Sequence, residues 1–133
     1  MRSKYSYDYL LSLHVGKKVS RAKNNRLRIY IAGPYTASSG KEIEKNVNNA
    51  IDAEIKVLEK GHYPYIPHLT HYIRKRPSCK LTWEDFIQWD RIWIETCDAV
   101  LLLEESKGAH LEVEFAKSLG KKIYKSIEEV PQV

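Results

Sequence analysis

The run from Ala99 to Gly120, AVLLLEESKGAHLEVEFAKSLG, limits the fold more than any other stretch of this chain. Ala99 to Leu103 are apolar throughout, long enough for a strand buried on both faces, and Glu104 to Lys107 stop it. A helix then opens at Gly108, with Leu111, Phe115, Ala116 and Leu119 at helical spacing on one face. Glu112 stands beside that face, whereas Glu114 groups with Lys117 and Lys121 toward water. Glu112 is therefore expected in the first turn, at the rim of the buried face and near the positive end of the helix dipole. Held ionised there, it can serve as a nucleophile or an anchor; the plainer reading is that it stabilises the helix start.

The segments before and after repeat the same logic. From Leu27 the pattern LRIYIAGPYTASSGKE gives a first strand that stops at Gly33 and Pro34, followed by a polar loop from Tyr35 to Lys41. Val47, Ala50, Ile51, Glu54, Ile55 and Leu58 recur at three and four residues, and Gly61 stands where a helix ends, so a helix is predicted over 42–60. HYPYIP, 62–67, reads as a short strand feeding a loop with His68 and His71. The basic run RKRPSCK, 74–80, is either a lid near an anionic ligand or a solvated surface loop.

Thr82 and Asp85 form a capping-box pattern ahead of a helix over 83–95, whose buried face is marked by Phe86, Trp89 and Trp93. Asp90 lies four residues after Phe86 and three before Trp93, so the pattern points a carboxylate inward. An unpaired buried carboxylate is costly, so either Arg91 or a backbone donor satisfies it, or it faces a cleft where a raised pKa serves chemistry. A last strand is predicted over 122–125, KIYK.

The order βαβαβαβ with short connections implies an α/β fold, a single-domain flavodoxin/Rossmann-like three-layer arrangement with a four- to five-stranded parallel sheet in the order 2-1-3-4. Its switch point falls between strands one and three, where the Gly33 loop and the Ser106 to Glu112 segment line a crevice. Neither GxGxxG nor GxxxxGK[ST] occurs, which removes support for dinucleotide hydride transfer and P-loop hydrolysis, and no cofactor is expected.

Charge is uneven. Residues 1–28 carry eight Lys or Arg against the single Asp8, whereas 29–133 carry 14 basic and 16 acidic residues, so the overall +5 belongs to the amino-terminal segment. The body is not built to bind polyanions; the arm permits weak nucleic-acid contact at most, and a solubilising or subunit-embracing extension is the preferred reading. Residues 1–26 read as a poorly ordered basic arm, or a helix around Tyr7 to Leu13 and a linker, ahead of one domain over 27–133. No apolar run approaches a membrane span, so a cytoplasmic protein is expected. Cys79 and Cys97 lack metal-ligand spacing and are expected as free thiols. His68 and His71 have no Cys or carboxylate at supporting spacing, so no metal is expected; substrate contact or surface placement is the reading.

Taken together, IYIAGPYTA, PYIPH, WDRIWIETCDAVLLL and SKGAHLEVEFAKSLG resemble the nucleoside 2-deoxyribosyltransferase superfamily, including its nucleotide N-glycosidase branch, over roughly residues 28–125. The spacing from Asp90 to Asp98 to Ser106 to Glu112 carries most of the likeness. The resemblance implies cleavage of an N-glycosidic bond, by hydrolysis or base transfer. Glu112 would be the nucleophile at the anomeric carbon, Tyr30 would position it, and Asp90 would help protonate the departing base. Ser106 departs from the transferases, which tend to have aspartate there, and is similar to the N-glycosidases, where serine contacts a 5′-phosphate. The substrate-binding set is then Gly33, Pro34, Tyr35, Ser38, Ser39, His68, Ser106, Gly108 and Ala109, with backbone donors and hydroxyls holding phosphate. His68 matches a histidine whose role the residues do not define. A nucleoside or nucleotide substrate and a homodimer or larger homo-oligomer are implied in the same way. Two other readings stay open, a non-catalytic nucleotide sensor of the same fold and an NAD glycohydrolase.

Overall fold

The computed structural model describes residues 4–12 and 25–133. A short helix, α1 (Tyr7–Ser12), contributes nothing to the core; residues 1–3 and 13–24 of the predicted arm, including Leu13, lie outside the described residues. The ordered succession is β1 (Arg28–Ala32), α2 (Gly40–Glu59), β2 (Tyr63–Tyr65), a 3-10 turn (Pro67–Leu69), α3 (Thr70–Arg74), α4 (Trp83–Thr96), β3 (Ala99–Leu102), α5 (Lys107–Ser118), β4 (Lys122–Tyr124) and a final 3-10 turn (Ile127–Glu129). The four strands are all parallel in the order β2-β1-β3-β4. This is the flavodoxin/Rossmann-like arrangement expected from the alternation of strands and helices.

Strand alternation divides the core between the two faces of this sheet. Ile29, Ile31, Ala99 and Leu101 pack against Ala50, Ala53 and Val57 of α2. Tyr30, Ala32 and Val100 pack on the other side against Ile94 of α4 and Ala109, Val113 and Ala116 of α5. Three layers result. Three helix faces differ from the predicted ones, for a reason that helical geometry supplies. On α2 the buried stripe is Val47, Ala50, Ala53 and Val57; Ile55 and Leu58 lie about 145° and about 85° round the helix from its centre and are half exposed. On α5 the buried residues are Ala109, Val113 and Ala116, so Leu111 and Leu119 are exposed and Glu112 flanks the stripe.

The third change matters most. On α4 the buried residues are Phe86 and Ile94, eight apart, and Trp93 is 39% exposed. Asp90, at i+4 between those two, therefore occupies the middle of the inner face rather than its edge. The capping box at Thr82 is present in full: Asp85 N–H donates to Thr82 Oγ1 at 3.2 Å and Thr82 N–H donates to Asp85 Oδ2 at 2.8 Å. It fixes where α4 starts, and so which residues face the sheet.

The loops after β1 and β3 meet at the carboxyl edge of the sheet. Leu103 N–H donates to Ala32 O at 2.9 Å, extending the pairing one step past the strands. Gly33 lies so close to that neighbour that a Cβ there would stand 3.3 Å from Leu103 Cβ. Cys79 and Cys97 are both free thiols, Cys97 buried. Among the described residues no helix is long and apolar enough to cross a membrane.

Candidate active site

Tyr30 sits in the middle of β1 with no exposed surface, paired in register with Tyr65 of β2 and Val100 of β3. A buried phenol needs an acceptor. Tyr30 finds one across the layer: its hydroxyl donates to Glu112 Oε2 of α5. The close approach of α5 follows from its small contact residues, Ala109 and Ala116, which lie flat on the sheet. Glu112 is the sixth residue of the helix, in its second turn, so the predicted first-turn position and its dipole stabilisation do not hold.

The expectation that Glu112 is held ionised fails for the same reason. Burial raises its pKa to about 8; the Tyr30 hydrogen bond acts in the opposite direction without reversing the shift, and the charge of Asp90 adds to it. Asp90 is itself raised to about 6, mainly by burial, with the Arg74 charge opposing. Arg91 does not pair with it; its guanidinium lies over the Phe115 ring at 4.5 Å. Burial first, then the charges of Glu112 and Asp90, push Tyr30 well above the ordinary phenol range. Two carboxyl groups and a phenol that keeps its proton thus act on one another on the face of the sheet covered by α4 and α5.

Tyr65 belongs to this group and was not among the predicted site residues. Its ring is tilted against Tyr30 at 5.8 Å between centroids and stacked on Trp93 at 4.7 Å. Burial, followed by the charge of Asp90, pushes it up to about 12. The signal was available in the alternation of HYPYIP, which puts Tyr65 on one face with the aromatics of α4, although only the pairing with Tyr30 makes it a neighbour of Glu112. Arg74, predicted only as part of a basic loop, stacks on Phe86 of α4 and acts through its charge on Asp90.

The predicted binding residues lie at the carboxyl edge, in two groups. His68 is buried, not at the surface; its Nε2–H donates to Gly33 O at 3.3 Å and Pro34 O at 3.2 Å, and Nδ1 is buried without a partner. His71 is buried as well, donating from Nε2 to Glu44 Oε1 at 3.1 Å and accepting the Tyr35 hydroxyl at Nδ1, 2.7 Å away. Both histidines anchor the loop after β1.

Ser39 caps α2, accepting from Glu42 N–H at 3.2 Å, and Ser38 Oγ lies 3.5 Å from Glu42 Oε2. Ser106 caps α5, accepting from Ala109 N–H at 3.1 Å, which commits that amide to the helix rather than to a ligand. A Cβ on Gly108 would meet nothing within 4 Å. A separate cleft of about 430 Å³ opens beside α2, lined by Asn46, Asp52, Glu104, Lys125 and Pro34 among others, and holds neither Glu112 nor Asp90.

Because both carboxyl groups have folded-state pKa values above their ordinary ones, their ionisation opposes folding: their stability contribution is full below about pH 4 and is lost as pH rises through about 6 and about 8. Glu112→Gln, which keeps an acceptor for Tyr30, should therefore melt higher than the wild type at pH 9, with the difference shrinking as pH falls through about 8 and vanishing only below about pH 4. Thermal melts across that range check this; a lower melting temperature for the variant at every pH would contradict it.

No curated protein sequence matches the chain. A solved structure of a 2-deoxyribosyltransferase from the psychrotolerant bacterium Bacillus psychrosaccharolyticus has a similar fold, with a TM-score of 0.54 and 18% identity over 72% of this chain and 69% of that one. A family profile described as a domain of unknown function (DUF4406) matches residues 27–125. The chain belongs to that family.

Proposed function

We propose that the protein cleaves the N-glycosidic bond of a nucleoside or nucleoside 5′-monophosphate through Glu112, by hydrolysis or by transfer to a second base. The observation that carries this reading is the Tyr30 to Glu112 hydrogen bond beside Asp90, which is a nucleophile, its positioning phenol and a proton source in one buried pocket. The likeness in fold to a 2-deoxyribosyltransferase supports it.

The chemistry asks for these groups. As the bond between C1′ and the base nitrogen lengthens, positive charge grows on the sugar and negative charge on the base. A Glu112 oxygen supplies the electron pair that bonds to C1′, and Asp90 gives its proton to the base. Tyr30 holds one Glu112 oxygen, leaving the other to attack. Water or a second base then takes the sugar from Glu112. The reactive form has one proton between two carboxyl groups, with Glu112 ionised and Asp90 protonated. With values near 6 and 8, the pair carries a single proton across neutral pH, held mainly by Glu112, so the reactive arrangement is the minor of the two and the profile belongs to the pair and not to either residue.

A panel of nucleosides and nucleotides, followed by chromatography for free base, tests the reading. Base release should follow a bell in kcat/KM with limbs near pH 6 and pH 8. Glu112→Ala should lose at least about a hundredfold, while the exposed Glu114→Ala should stay within about threefold. A flat profile from pH 5 to 9, or Glu112→Ala within about tenfold of wild type, would contradict it.

A preference for 5′-monophosphates follows from Ser106. Its oxygen accepts from Ala109 N–H, which leaves the hydroxyl hydrogen to donate to a phosphate at the start of α5. Such a charge-assisted bond is worth roughly 1.5 to 3 kcal/mol, or about tenfold to a hundredfold. An aspartate there would repel the dianion. Ser106→Asp still caps the helix, so it should abolish the preference without unfolding the protein; a wild type indifferent to phosphate, or a preference that survives the substitution, would remove the phosphate from this site.

A further inference from the structure

Arg74, the last residue of α3, carries a buried donor without a hydrogen-bond partner. Its guanidinium carbon lies 3.8 Å from the centroid of the Phe86 ring and 5.2 Å from that of Tyr35. Nε is buried and makes no hydrogen bond, and among the described residues no carboxylate stands within ion-pair distance. Two aromatic rings therefore hold a planar cation in place while its buried Nε goes unmatched, an arrangement whose cost is recovered when a ligand brings the acceptor.

The position of Arg74 says which part of a ligand that is. Phe86 and Asp90 are one turn apart on the inner face of α4, so a guanidinium stacked on Phe86 stands beside Asp90. The field of Arg74 is felt there, opposing the rise of the Asp90 carboxyl. Ser106 belongs instead to the opening of α5, about 9 Å along the helix from Glu112. The cation is thus on the side of the proton donor, where the base departs.

We propose that Arg74 selects the base, donating from its guanidinium to an exocyclic oxygen, so that the site takes oxo-substituted bases in preference to amino-substituted ones; this rests on the glycosidic reading above. When the C1′–N bond breaks, its electron pair passes to the base, a Glu112 oxygen bonds to C1′ and the Asp90 proton moves to a base nitrogen. In an oxo base the arriving charge spreads onto the exocyclic oxygen, where Arg74 meets it. An amino group at that position presents N–H to N–H and leaves the guanidinium unmatched.

Hypoxanthine and adenine differ by oxo against amino at one ring carbon and by the proton on the adjacent nitrogen, which makes inosine and adenosine the matched substrates. Wild type should favour the oxo member by about tenfold to a hundredfold in kcat/KM, and Arg74→Gln should bring the ratio to within about threefold of unity. Arg74→Met, which keeps the stem against Phe86 and Tyr35, serves if the glutamine variant does not fold. Calorimetric binding of free hypoxanthine and adenine to the Glu112→Ala protein, with and without the Arg74 substitution, should give the same ordering without any turnover.

Equal or better use of the amino partner by wild type, or a ratio untouched by Arg74 substitution, would overturn the inference while leaving glycosidic cleavage standing. Loss of a 5′-monophosphate preference with the base ratio unchanged would overturn it as well, giving the guanidinium to the phosphate. Base discrimination in binding that collapses with Arg74→Gln, in a protein that cleaves neither nucleoside, would uphold Arg74 as the base selector and overturn the glycosidic reading instead. Neither binding nor cleavage of any of these compounds would end both.

Discussion

The bond from Tyr30 to Glu112 joins the central strand to the helix that follows β3, and the remaining features of the pocket depend on it. A phenol with no exposed surface must find an acceptor inside the protein, and a carboxylate placed there must accept loss of water. Small residues at Ala109 and Ala116 bring α5 close enough for the two to meet. The same closeness raises the pKa of Glu112, couples it to Asp90 and keeps the proton on Tyr30. An apolar residue at position 112 would relieve all of this at once, and would leave the Tyr30 hydroxyl without its partner.

The two faces of the sheet divide the labour. The α2 face is apolar, and it fixes the strands in register. The opposite face carries Tyr30, Tyr65, Asp90 and Glu112 among apolar neighbours, so titratable groups are placed where the dielectric is low and burial above all raises their proton affinity. At the carboxyl edge, His68 and His71 hold the loop after β1 through Gly33, Pro34 and Tyr35, and His71 connects that loop to Glu44 on α2. The rigid scaffold and the pocket therefore meet in one loop.

Topology was legible because parallel strands buried on both faces leave short continuous apolar runs, and Gly61 and Gly120 mark helix ends with backbone of positive φ. Helix faces were legible only in part. Ile55, Leu58, Leu111 and Leu119 are as apolar as their buried neighbours, and periodicity alone does not say which of two adjacent stripes meets a sheet. Asp90 could be read as inward because Phe86 stands one turn before it. Tyr65 could be set on one face by alternation but not beside Tyr30, 35 residues away, and Arg74 could not be set beside Tyr35, 39 residues away, since only strand order and loop packing bring them together. Proton affinities depend on burial that no local pattern encodes, which is why Glu112 read as ionised from its helix position alone.

The central claim is that the Glu112 oxygen freed by the Tyr30 contact forms a bond to a sugar carbon. Acid-quenching the enzyme within its first turnovers on a cleavable nucleoside or nucleotide, then digesting it and weighing the peptides, tests that bond directly. A single pentosyl adduct, with or without its phosphate, should appear on the peptide containing Glu112 and be absent from Glu112→Gln. Base release with no adduct on any peptide, or an adduct on another residue that persists in Glu112→Gln, would contradict the account.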